Sequence, residues 1–219
     1  KSDGSVVTWG SAERGGDSSS VSSDLSSDVI DIVSAYTSST GAFAALKSDG
    51  SVVTWGSGSG GDSSSVSSDL SSGVIEIYGT EFSFAALKSD GSVVTWGAAD
   101  SSSVSSELSS GVIEIYTTGR AFAALKFDGS VVTWGSNHGG DSSSVSSELS
   151  SGVIDIYATF GAFAALKSDG SLVTWGWSQG ASSSENYGGD SSAVSSDLAA
   201  SVIINIYSTR TAFAAIIEI

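Results

Sequence analysis

Phe84-Ala85-Ala86-Leu87-Lys88-Ser89-Asp90-Gly91-Ser92-Val93-Val94-Thr95-Trp96-Gly97 decides the fold. Two apolar runs flank a short polar stretch that contains Asp-Gly. Gly accepts a positive φ and Asp tolerates it, so this reads as a β-hairpin. The second half of the phrase, K-[SF]-D-G-S-[VL]-V-T-W-G, occurs five times, beginning at Lys1, Lys47, Lys88, Lys126 and Lys167. A repeat interval of about 40 residues is the signature of a stacked or radial architecture.

Working outward, the repeat units are 1-46, 47-87, 88-125, 126-166 and 167-216 of a single domain spanning 1-219. Val74-Ile75-Glu76-Ile77-Tyr78 is rich in β-branched and aromatic residues and predicts a further strand before the hairpin. Between Trp-Gly and that strand lies a Ser-rich connector. Asp62 can cap a helical turn there, Val66 and Leu70 share one face, and Gly73 can end it. Three short strands cannot bury both faces alone, and radial repetition buries them against their neighbours. The expected fold is all-β: a five-bladed β-propeller of three-stranded blades with short helical connectors. It is closed by pairing of the N- and C-terminal strands, residues 5–9 against residues 212–216. The alternative is a linear solenoid.

Composition excludes several functions. Cys, Met and Pro are absent, which rules out disulfides, thiol catalysis and Cys-ligated metals. The net charge is -16 with only eight Lys and Arg, so a nucleic-acid backbone is not an expected partner. No apolar run approaches the ~20 residues of a membrane helix, and membrane insertion is not expected. The chain opens inside a repeat without Met, which reads as a processed or excised product. The lack of oxidisable sulfur residues fits an extracellular or cell-surface location.

Nearly every acid occupies a repeated position: the hairpin turns, the connector caps, the connector bodies and the first strand. Catalysis needs an asymmetric constellation. None stands out, so the chain is expected to be no enzyme and to need no cofactor. Asp31, Glu76, Glu114 and Asp155, with Asn205 in the fifth unit, would form a ring if their strand were innermost, and that ring is the one candidate metal site. The competing reading leaves these side chains in solvent. The repeated Trp and Phe residues read as packing between blades.

The phrase from Val-Ile-Glu-Ile-Tyr to Ala-Leu-Lys-x-Asp-Gly-Ser-Val-Val-Thr-Trp-Gly resembles the repeat of the regulator-of-chromosome-condensation family. The resemblance covers all five units and implies a β-propeller. That family includes an exchange factor, a photoreceptor and enzyme inhibitors, so it does not choose a function. The chain departs from the family where Gly-Gly-Asp-Ser-Ser follows Trp-Gly.

The units differ in two loops. One follows Trp-Gly and includes His138 and the long insertion from Trp177 to Tyr187. The other precedes the Ala-Leu strand and carries Glu81, Arg120, Phe160 and Arg210. Variable loops on a rigid scaffold are where recognition resides, and these seven residues are the candidate binding set. The expected function is non-enzymatic: protein interaction or extracellular structural assembly, with homo-oligomer or head-to-tail filament as one form. The alternative is a lectin-like or inhibitor-like module that binds a glycan or protein through the variable loops.

Overall fold

The structure is a computed structural model that describes residues 2–37, 39–137, 139–177, 187–199 and 202–218. It is all-β, and its residues group into two compact units, Lys1–Ala99 and Asp100–Ile219. The boundary falls at Gly97-Ala98-Ala99, the shortest of the loops that follow a Trp.

The first unit holds two antiparallel three-stranded sheets, β1 (Val29–Tyr36), β2 (Gly41–Lys47) and β3 (Val52–Gly56), then β4 (Val74–Gly79), β5 (Ser83–Lys88) and β6 (Val93–Gly97). The second unit holds two more, β7 (Val112–Thr117), β8 (Ala121–Lys126) and β9 (Val131–Gly135), then β10 (Val153–Ala158), β11 (Ala162–Lys167) and β12 (Leu172–Gly176). It ends in a two-stranded sheet of β13 (Val202–Ser208) and β14 (Phe213–Glu218). Five related sheets are therefore present, and among the described residues four have the expected third strand. Residues 5–9 form no strand, and β14 pairs only with β13.

The middle strand is made of small residues because it is covered on both sides. Ala85, Ala86, Ala123 and Ala124 are completely buried, as are Phe84, Phe122 and Phe163. Each fully buried Phe contributes about 2–3 kcal/mol by transfer from water. The register places every such Phe opposite the Trp of the third strand, for example Phe84 opposite Trp96 and Phe163 opposite Trp175. The rings stack at 5.2 Å in both pairs.

Neighbouring sheets of one unit pack face to face. In the first unit Ala42, Ala44 and Leu46 share a core with Ile77, Phe84, Ala86 and Trp96. In the second, Ala121, Ala123 and Leu125 pack with Ile156, Phe163, Ala165 and Trp175. The connector supplies the floor: Leu70 packs with Trp96 and Leu149 with Trp175.

The Lys-x-Asp-Gly-Ser turn is a three-residue hairpin loop. The Lys47 N–H donates to the Ser51 carbonyl at 2.9 Å, and Gly50 sits at φ 78°, as the bulged form of this turn requires. A Cβ at Gly50 would lie 2.7 Å from the Gly73 amide nitrogen, so Gly is needed there for space as well.

The connectors differ from the helices expected. They are short 3₁₀ turns such as Ser64–Val66, or Ser143–Val145 followed by Glu148–Ser150, and among the described residues the α-helix α1 (Ser195–Ala199) is five residues long. Asp62 does not cap a helix. Its carboxylate accepts the N–H of Ser64, two residues on, which is an Asx turn. Asp17, Asp100, Asp141 and Asp190 do the same. A Ser-rich segment offers the backbone side-chain partners, and these compete with helix propagation.

Candidate functional site

The loop that precedes each middle strand is the hairpin tip that bears the variable residues. In each, a Thr amide donates to the carbonyl three residues on, from Thr80 to Ser83, Thr118 to Ala121, Thr159 to Ala162 and Thr209 to Ala212, all at 2.9 Å. The same Thr hydroxyl accepts the returning N–H, at 3.2 Å from Ser83, 2.9 Å from Ala121, and 3.1 Å from both Ala162 and Ala212. Two residues are left at each tip: Glu81-Phe82, Gly119-Arg120, Phe160-Gly161 and Arg210-Thr211. Thr80, Thr118 and Thr159 are buried, so the tips are held rigidly while their side chains vary. These Thr residues recur at one repeat position, a signal present in the sequence that the candidate set above does not use.

In the second unit the tips are chained together. The Gly119 N–H donates to the Phe160 carbonyl at 2.8 Å, and the Phe160 N–H donates to the Arg210 carbonyl at 2.9 Å. A Cβ at Gly119 would lie 2.4 Å from the Phe160 ring, so that Gly admits the aromatic. The Arg210 guanidinium lies over the Phe160 ring, 4.6 Å from its centroid, in cation–π geometry. Phe160 meets Tyr187 at 5.8 Å, and Tyr187 stacks on Trp177 at 5.1 Å. Thr159 donates its hydroxyl to the Tyr187 carbonyl at 2.8 Å and so ties Tyr187 to the tip.

Four of the seven candidates, Phe160, Trp177, Tyr187 and Arg210, therefore converge. Tyr187 is buried, Phe160 and Trp177 are half-buried, and Arg210 is exposed. Arg120 is exposed on the adjoining tip. Glu81 sits on a tip of the first unit. His138 lies outside the described residues.

Asp31, Glu76, Glu114 and Asp155, the acids of the candidate ring, each have a local structural setting. Among the described residues no group of three or more ligating side chains comes together. Each acid stands at a β-bulge, where the register shifts between Val29 and Asp31, Val74 and Glu76, Val112 and Glu114, and Val153 and Asp155. At the bulge the carboxylates of Asp31 and Asp155 accept the N–H of the next residue, both at 2.8 Å, and Asn205 does so through its amide oxygen. An acceptor on a short side chain suits the unpaired donor that a bulge creates. Asp155 also accepts the Tyr116 hydroxyl at 3.0 Å. Burial, then hydrogen bonding to Glu114 and the charge of Asp155, hold the Tyr116 phenol above its ordinary value. Burial and Asp155 push Tyr157 up to about 12.

The turn acids move the other way. Asp49, Asp90, Asp128 and Asp169 are held below the usual carboxylate range by the hydroxyl and then the amide of the Ser two residues on. These are solvent-facing structural groups.

No protein-family profile matches the chain, and no curated sequence matches it. Solved structures do. The ectodomain of the Arabidopsis thaliana receptor kinase ACR4, described as a CRINKLY WD40 ectodomain, is 17% identical with a TM-score of 0.44 over 68% of this chain and 57% of that one. Prp20p of Saccharomyces cerevisiae is 18% identical with a TM-score of 0.47 over 69% of this chain and 45% of that one. Human WBSCR16 is 22% identical with a TM-score of 0.40 over 68% of this chain and 47% of that one. The chain spans about half the length of these proteins.

Proposed function

We propose that the chain is a non-enzymatic, five-bladed β-propeller of the regulator-of-chromosome-condensation type that serves protein association outside the cell. The repeated phrase ending in Trp-Gly supports that kinship, and the face-to-face packing of successive three-stranded sheets supports the blades. The lack of Cys and Met suits an oxidising location.

The observation that carries a binding role is the tip array of the second unit. Gly119, Phe160 and Arg210 are joined through their backbones, and Phe160, Tyr187 and Trp177 form one aromatic group capped by Arg210. Aromatic residues and Arg dominate the energetics of protein interfaces. Here they are gathered by loops that the repeat holds rigid and otherwise leaves free to vary.

The test is a displayed random-peptide library and a glycan array, each probed with the wild-type chain and a Phe160→Ala/Arg210→Ala variant. Peptides enriched by the wild type and lost by the variant support the proposal. Glycan binding without peptide binding favours the lectin-like reading, for which the Trp177–Tyr187 stack is the supporting feature. Binding of neither probe overturns a recognition role for the array.

A further inference from the structure

Among the described residues the fifth sheet has two strands, and residues 5–9 carry the third-strand sequence without forming a ladder. Residues 5–9 are already set as a third strand on one side. The Val6 N–H donates to the Leu25 carbonyl at 3.0 Å, as Val52 does to Leu70 at 2.9 Å. Thr8 Oγ1 bonds Ser18 Oγ at 2.9 Å, the distance of the Thr54–Ser63 and Thr133–Ser142 pairs. The Val29 N–H donates to the Gly4 carbonyl at 3.1 Å, as Val74 does to Gly50 at 3.0 Å. Yet the other side has no ladder. Trp9 is 83% exposed, whereas its counterparts Trp55, Trp96, Trp134 and Trp175 are 2–4% exposed. Val7 is 61% exposed.

The other half of the gap is β14. It pairs with β13 on one edge only. Ile216 is 49% exposed where Leu46, Leu87 and Leu125 are 2–3% exposed. Beside it runs a groove of about 340 Å³, lined by Val194, Leu198, Ile206, Phe213 and Ala215 among others. In the other sheets this receptor is filled. Val21 and Leu25 pack with Val53 and Trp55, Val66 and Leu70 with Val94 and Trp96, and Val145 and Leu149 with Val173 and Trp175. The groove at Val194, Leu198 and Phe213 therefore has the shape of a Val-Val-Thr-Trp strand.

We infer that β14 and its groove bind residues 5–9 of a second copy of this chain, which completes the fifth sheet in trans. The register follows from the other hairpins, where Phe43, Ala44, Ala45 and Leu46 oppose Trp55, Thr54, Val53 and Val52. Phe213 then opposes Trp9, Ala214 opposes Thr8, Ala215 opposes Val7 and Ile216 opposes Val6. Among the described residues β14 is laddered on one edge by β13, and an edge strand is a template for another chain. The contact is heterologous, so each copy offers one donor strand and one acceptor groove, and assembly proceeds head to tail.

This inference rests on the reading of the chain as an association module, but the two fail separately, because the peptide and glycan screen reads the tip array and not β14. The native chain has no Cys, so a Thr8→Cys chain and an Ala214→Cys chain can be mixed under mild oxidation without background. The mixed disulfide is expected to exceed either homodisulfide at least tenfold. A chain carrying both substitutions is expected to form a ladder of multiples of 21.9 kDa. A mixed disulfide no more abundant than the homodisulfides overturns the inference. So does a doubly substituted chain that crosslinks only within itself at every dilution. Sedimentation of Trp9→Ala supplies a check that does not depend on the cysteines. Trp9 is exposed in the single copy, so the variant folds, and it is expected to remain at monomer mass where the wild type associates. Association unchanged by Trp9→Ala overturns the inference as well.

Discussion

Trp134 and Trp175 occupy the same repeat position in one unit, are equally buried and stack on Phe122 and Phe163 in the same way. They differ in one hydrogen bond. Trp175 Nε1 donates to the Gly139 carbonyl at 3.0 Å, as Trp55 does to Gly15 and Trp96 to Gly60. Trp134 Nε1 is buried and has no acceptor among the described residues. The acceptor is elsewhere the first Gly of Gly-Gly-Asp, and the loop that precedes Trp134 in the repeat order reads Gly97-Ala98-Ala99-Asp100 without that pair. Replacing either Trp by Phe removes a similar volume, so that loss cancels in the comparison. Trp175→Phe also removes a bond worth about 1 kcal/mol net and leaves a buried carbonyl unpaired, whereas Trp134→Phe relieves an unpaired donor that costs about 1–3 kcal/mol. The expected difference is about 2 kcal/mol or more, with Trp175→Phe the less stable. At a urea slope of about 1–3 kcal/mol/M this separates the two midpoints by on the order of 1 M. Urea unfolding followed by circular dichroism reads it directly, and both sites report on the same unit. Equal midpoints, or a lower one for Trp134→Phe, would refute the reasoning.

Thr159→Val leaves the amides of Gly161 and Ala162 and the Tyr187 carbonyl without their side-chain partner. It is expected to cost about 1–3 kcal/mol, read as a lower urea midpoint, and no loss would remove the tip-locking role of Thr. Gly60→Ala places a methyl 3.0 Å from the ring of fully buried Phe84. A loss of about 1–3 kcal/mol is expected from overpacking, and a neutral result in thermal unfolding would show that the loop gives way. The turn and Asx carboxylates have folded pKa values below the ordinary 3.8, so their contribution is complete above that value and is lost as pH falls through the lower folded values. Tyr157 is raised to about 12, so its contribution is complete below the ordinary 10 and is lost as pH rises through 12. Stability measured against pH is expected to fall below about pH 4 and again above about pH 10; a fall centred near pH 6 would contradict both assignments.

The strands were legible because their signals are local. Asp90-Gly91 between two apolar runs specifies a hairpin, and Val74-Ile75-Glu76-Ile77-Tyr78 carries its own β preference. The connector is ambiguous in sequence because Asp62 and the Ser residues after it satisfy backbone groups in several ways, and spacing alone does not separate an Asx turn from a helix cap. The role of Glu76 and its equivalents was hidden for a different reason. A bulge changes the count across a ladder, and one strand read alone does not reveal where its partner slips. The convergence of Phe160, Arg210, Trp177 and Tyr187 depends on how successive sheets stack, which no single repeat encodes. The fixed Thr of each tip was visible, but its purpose appears only once the hydroxyl is seen to accept the returning amide.

Amide hydrogen exchange, resolved to peptides and followed over a range of protein concentrations, tests the completion of the fifth sheet most directly. Residues 5–9 and β14 are expected to gain protection together as concentration rises and to lose it together on dilution. Rapid exchange of both segments at every concentration would contradict the account, and so would protection that persists unchanged at the lowest.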